Sequence, residues 1–255
     1  MHTKDTIMTN LATFRVHIAP LGFEIDRIVI PLKQTKADKL WILAHDNRSE
    51  DLSGPYLEKI KKECKKLGVE VKVAYSDRLS LFKAIKSIKD IISQEKGNYI
   101  YVNVASGSKI QAIAAMMACS LSKSSDNLKP FYAEPESYAA FEGKQQSFGI
   151  KDTIPLPLYA IHTPKPKLLA ALKIVSEQPK QKITKKEMAQ IAEDQNVITI
   201  NAEQENHSQA RFASLDKNII APLEKEWKFI EVEKIGRNRW IKITQEGKDA
   251  AEFLI

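Results

Sequence analysis

Apolar and polar positions along the first part of the chain switch between two periods. Phe14-Arg-Val-His-Ile18 and Val69 to Tyr75 alternate residue by residue, the spacing of half-buried strands. Lys39 to Ala44 and Tyr99 to Val104 are short apolar runs rich in β-branched and aromatic residues, the pattern of buried strands. Between them the period widens. Phe23 to Gln34 carries Phe23, Ile25, Ile28, Val29 and Leu32, with Pro31 expected near a helix end or kink because it has no N–H donor. Pro55 to Leu67 reads as a helix closed by Gly68, and Leu79 to Gln94 sets Leu81, Phe82, Ile85, Ile88, Ile91 and Ile92 on one face. Ile110 to Leu121 is an Ala- and Met-rich helix, Leu128 to Ala133 another strand, and Phe141 to Ile150 a hairpin or edge element. Strand and helix alternate regularly, which predicts an α/β fold with a mainly parallel sheet.

The pattern changes after a stretch from Asp152 to Lys167 that holds prolines at 155, 157, 164 and 166, the mark of a stiff linker. It divides the chain into a polar, aperiodic start (1–13), an α/β domain (14–151), a linker (152–165) and a second domain (166–255). That second domain begins with a helix over Pro166 to Glu177. Thr184 and Glu187 then form a capping box that opens a helix to about Glu193. A long helix follows from Asn206 to Trp227, with Pro222 kinking or ending it. Phe229 to Glu233 and Arg239 to Ile243, joined by a turn at Ile235 to Asn238, form a hairpin ahead of a closing helix over Thr244 to Leu254. Three helices, a basic hairpin and a helix are the order of a winged helix-turn-helix, whose third helix enters the DNA major groove.

Two stretches carry candidate chemistry. In the first domain Ala105-Ser-Gly-Ser-Lys109 joins a strand to a helix. Such a loop lets a ligand approach the backbone, and the first helical N–H groups favour an anion beside the Lys109 ammonium. It is neither a Walker A loop, which needs Gly and Lys adjacent, nor a GxGxxG fingerprint. Parallel sheets bind ligands beyond the carboxyl ends of their strands, here Ala19–Glu24, His45–Arg48, Tyr75–Arg78 and Asn103–Lys109. In the second domain the hairpin tip presents Arg237, Asn238 and Arg239 to phosphates. The start of the third helix offers Asn206, His207, Ser208, Gln209 and Arg211 to base edges or phosphates.

A net charge of +7 and a pI near 9.2 favour an anionic partner. The excess is not concentrated in the second domain: residues 163–255 carry 16 Lys and Arg against 14 Asp and Glu, residues 1–162 carry 23 against 18. The longest apolar run, Ile110 to Leu121, falls short of the ~20 residues a spanning helix needs, and residues 1–13 lack a signal-peptide core. With only Cys64 and Cys119, a reduced, cytoplasmic chain without disulfides, metal or membrane contact is expected. Met116, Met117, Cys119, Trp41 and Trp240 read as core, and Lys61, Lys62, Lys65 and Lys66 as the wet face of a helix. No nucleophile elbow, paired-carboxylate or HExxH motif marks a catalytic centre.

Taken together the chain resembles the CARF family, Rossmann-like sensors of cyclic oligoadenylate in CRISPR-linked immunity, and within it the archaeal CARF–winged-helix transcriptional regulators. The family signature after the fourth strand is Asn or Asp, any residue, Ser or Thr, three residues, then Lys or Arg. Asn103 and Lys109 match its first and last positions, and Ala105 departs at the hydroxyl position. The loop after the first strand, Ala19 to Glu24, is the other hallmark. The resemblance implies a homodimer holding a cyclic oligonucleotide effector against Pro20, Leu21, Gly22, Phe23, Asn103, Ala105, Ser106, Gly107, Ser108 and Lys109. Ser106 or Ser108 would supply the hydroxyl that Ala105 lacks, and double-stranded DNA would be the second partner. Two alternatives go with it: a ring nuclease cleaving the same ligand, with His17 or His45 as acid or base, and a regulator sensing a non-nucleotide metabolite.

Overall fold

Strand β1 (Arg15–Pro20) runs through the middle of a six-stranded sheet, parallel to β2 (Lys39–His45) on one side and to β4 (Tyr99–Asn103) on the other. β3 (Glu70–Ser76) pairs with β2 and β5 (Leu128–Glu134) with β4, both parallel, giving the order 3-2-1-4-5. The computed structural model describes residues 13–47, 51–122, 127–138, 146–159 and 161–255, and the chain divides into two units, 1–162 and 163–255. The polar start, Arg48 and the first part of the Phe141–Ile150 element lie outside the described residues.

Strand order reverses at β1. The chain first builds outward to β3, then crosses back to β4. With right-handed crossovers that reversal places helices on opposite faces. α1 (Asp26–Thr35) packs with α2 (Gly54–Leu67), and α3 (Leu81–Gln94) with α4 (Lys109–Leu121). Ala19, Ile28, Leu32, Leu40, Ile42, Leu57, Ile60 and Cys64 fill the first interface, and α3 turns Ala84, Ile85, Ile88, Ile91 and Ile92 inward. This is the α/β, Rossmann-like fold with a mainly parallel sheet that the sequence predicts. Gly68 takes φ +71° to close α2, as expected of a glycine past a helix end.

Three regions depart from the sequence reading. Asp152–Pro155, assigned above to the linker, is an edge strand (β8) antiparallel to β5. An edge tolerates Pro155 because its missing N–H faces away from the ladder. β6 (Ser137–Tyr138) and β7 (Ser147–Phe148) form a small separate ladder. The third is in the second unit. There α5 (Pro166–Ser176) leads to β9 (Lys182–Thr184), a strand too short to show a period, and then to α6 (Lys185–Asp194) behind the expected Thr184–Glu187 box. α7 (His207–Leu215) continues in wide i→i+5 turns around Pro222, which has no amide to give an α-helical bond. β10 (Ile230–Ile235) and β11 (Asn238–Ile243) pair as a hairpin, with β9 on the far side of β11, and α8 (Gln245–Leu254) closes the chain. Leu172, Met188, Leu215, Ile219, Leu223 and Ile241 form the core of this winged helix.

Candidate functional site

The carboxyl ends of β1 and β4 meet where the strand order reverses, the place a parallel sheet offers a ligand. Contact there is backbone to backbone: a Cβ on Gly22 would lie 2.9 Å from the Gly107 nitrogen. Gly107 takes φ +78°, and a Cβ on it would sit 2.5 Å from Pro20 Cβ. Only glycine fits either position.

What fixes these loops begins in α1. Pro31 has no amide to bond the carbonyl four residues earlier, so the Arg27 carbonyl is left open inside the helix. Asn103, only 1% exposed, fills the vacancy: Nδ2 donates to Arg27 O at 2.7 Å while Oδ1 accepts the Ala105 amide at 2.8 Å. Asn103 therefore shapes the loop, and both ends of its amide are engaged. Ser106 is equally buried and donates to the Pro20 carbonyl at 2.8 Å. The Ser108 hydroxyl donates to Arg78 O at 3.3 Å and accepts the Gln111 amide at 3.2 Å. The Gln111 side chain returns a bond to the Ser108 amide. This Ser-x-x-Gln capping box was readable in the sequence and was missed there.

Several expected contacts are therefore reassigned. Neither Ser106 nor Ser108 has a free hydroxyl to replace the one absent at Ala105. Leu21, 5% exposed, is a core residue whose amide bonds Leu43 O. Phe23 meets Tyr56 edge-on at 5.4 Å. What faces outward at the end of β4 is the exposed Lys109, with no hydrogen bond or ion pair among the described residues, on the first turn of α4. With Ser108 and Gln111 capped, the Lys109 and Ile110 amides are the open donors of that turn.

His17 belongs to the sheet interior. It stacks on Tyr101 at 4.9 Å, sits 2.8 Å from Thr35 Oγ1, and burial lowers its pKa to about 3. It is no acid or base for a bound ligand. His45 does end β2 at this edge, beside a cleft of about 340 Å³ lined in part by Asp51, Glu58, Lys61 and Tyr75. Donor atoms of His45, Asp46 and Asp77 lie within 4.8 Å of one another, a set able to approach a metal. The His45 Nδ1 lone pair, however, already faces the Arg78 amide at 3.3 Å.

In the winged helix, Arg237, Asn238 and Arg239 are exposed at the hairpin tip, where Gly236 supplies the φ of +60° that the tight turn requires. Asn206, Ser208 and Gln209 are exposed as well. The other two predicted readers are tied down. His207 Nε2 lies 2.9 Å from Glu193, and Arg211 bonds Glu193 at 3.3 Å and Gln190, all on the neighbouring α6.

Residues 15–138 match the family model described as HFX_2341_N-like, N-terminal, and residues 167–255 match the DUF6293 C-terminal winged helix domain. An uncharacterized protein of Methanocaldococcus jannaschii, MJ1513, is 25% identical over 206 residues and 71% of this chain, which spans 61% of that relative's length. Can2 from Sulfobacillus thermosulfidooxidans, solved in complex with cyclic tetra-adenylate, is 12% identical with a TM-score of 0.41, over 93% of this chain and 63% of its own. Enterococcus italicus Csm6, bound to cyclic hexa-2'-fluoro-hexa-dAMP, gives 12% and 0.41 over 50% of this chain and 35% of its own. Both are loose likenesses of shape. Among the described residues no helix is long and apolar enough to cross a membrane. The chain thus joins an HFX_2341_N-like N-terminal domain, Rossmann-like in its sheet, to a DUF6293 winged helix, the two-domain order that the CARF–winged-helix resemblance implies.

Proposed function

We propose that this chain is a ligand-responsive DNA-binding regulator whose first domain senses a cyclic oligoadenylate where the β1 and β4 loops meet. The observation that carries the reading is the junction of Gly22 and Gly107 at the strand-order reversal, with Lys109 and the open amides of α4 at its rim. Such a surface suits a ligand recognised through its phosphates, since backbone N–H groups and one cation face it and the side-chain hydroxyls do not. The ring would lie on the two-fold axis of a homodimer, each half meeting one copy of the loop pair. The winged helix would read the result on double-stranded DNA, because a ligand favouring one dimer arrangement shifts the spacing of two DNA-binding units. Linkage of this kind needs no catalysis, and the interior position of His17 leaves His45 as the one remaining candidate of the two offered above for the ring-cleaving alternative.

Calorimetric titration with linear and cyclic oligoadenylates of three, four and six units tests the sensor. One ring size binding saturably at one ring per dimer, and lost in Lys109→Ala, is the expected result. No heat and no thermal stabilisation across the panel, from folded protein, contradicts it.

A further inference from the structure

The winged helix holds a second, differently built surface. A cleft of about 310 Å³ opens between the first turn of α6 and the hairpin tip, with Phe212 of α7 lining it. Lys186, Arg237 and Arg239 line it, and none of the three has a hydrogen bond or ion pair among the described residues. Nearby acids are already engaged: Asp216 pairs with Lys185, and Glu187 caps Thr184. Lys234 also stands directly opposite Arg239 across the hairpin ladder, a like-charge pair that costs stability with nothing between. Cations gathered without partners around a concave surface fit an anion that is itself extended and multiply charged.

We propose that this cleft grips the phosphodiester backbone of one DNA strand, so that Lys186, Arg237 and Arg239 carry most of the DNA affinity. His207 and Arg211, held on Glu193, carry little. The inference rests on the DNA-binding reading above and commits it to one surface. Its physical consequence is binding governed by phosphate contacts, hence strongly salt-dependent and tolerant of sequence.

The test is fluorescence anisotropy of the full chain on several unrelated duplexes across a salt series, with and without cyclic tetra-adenylate. Lys186→Ala, Arg237→Ala and Arg239→Ala are each expected to weaken binding several-fold on every duplex and to lower the salt slope by about 1. His207→Ala and Arg211→Gln are expected to match the unaltered chain. Full binding by the triple cleft variant, with loss in His207→Ala or Arg211→Gln, overturns the cleft and leaves the DNA-binding reading intact. No binding by the unaltered chain under any condition overturns both.

Discussion

The two surfaces proposed to meet anions are built on opposite plans. At the β1–β4 junction nearly every polar side chain bonds another part of the protein: Asn103 to Arg27, Ser106 to Pro20, Ser108 to Arg78. Shape is held by side chains, and in the proposed sensor recognition would fall to backbone amides and Lys109. At the winged-helix cleft the cations are loose on the surface, while His207 and Arg211 of α7 are tied to α6. A ligand of defined geometry is best met by a rigid frame, whereas a phosphate backbone is best met by adaptable charge. The contrast also shows that matching a motif does not make a residue a contact. Asn103 occupies the first signature position and works inward.

The sharpest way to break this contrast is to disturb the frame. Gly107→Ala combines an unfavourable positive φ with a contact of 2.5 Å on Pro20, and should cost about 3 kcal/mol, or roughly 10 °C in Tm, by thermal unfolding. Retention of full stability would show that the two loops are not locked together. Asn103→Ala leaves the Arg27 carbonyl and Ala105 amide unpaired and should cost about 2 kcal/mol. Pro31→Ala should then recover part of that loss, because the new amide can bond Arg27 O. Simple additivity of the two changes would refute the link between proline and asparagine.

A third test separates core from site. Because burial lowers the His17 pKa to about 3, the folded state stays neutral while the unfolded chain takes up a proton near pH 6.5. Its contribution to stability is therefore complete above that pH and falls by about 1.4 kcal/mol per unit as pH drops toward 3. His17→Phe should remove this component from the pH dependence of unfolding, and an unchanged slope would mean that His17 reaches solvent. The smallest stability effect belongs to Lys109→Ala, within about 0.5 kcal/mol, although its effect on effector binding should be large.

Local features were legible in the sequence because their signals are local. The alternation of strand and helix, Gly68 after α2 and the Thr184–Glu187 box each depend on residues a few positions apart. The glycine contact joins positions 22 and 107, and nothing short of the tertiary fold reveals that pairing. The vacancy at the Arg27 carbonyl was implicit in Pro31, but its occupant, Asn103, arrives from another strand. Prolines hid β8 because the same residues mark linkers and tolerated edges. Arg211 read as a DNA contact because its position on α7 was visible and Glu193 across the turn was not.

If the two proposed activities are coupled, the affinity of the full chain for DNA must change when a saturating cyclic oligoadenylate is present. Linkage predicts that the effector changes the Kd for DNA by at least about fivefold, and that DNA changes effector affinity by the same factor. An effector that binds at the Lys109 loop and leaves DNA affinity untouched would contradict it.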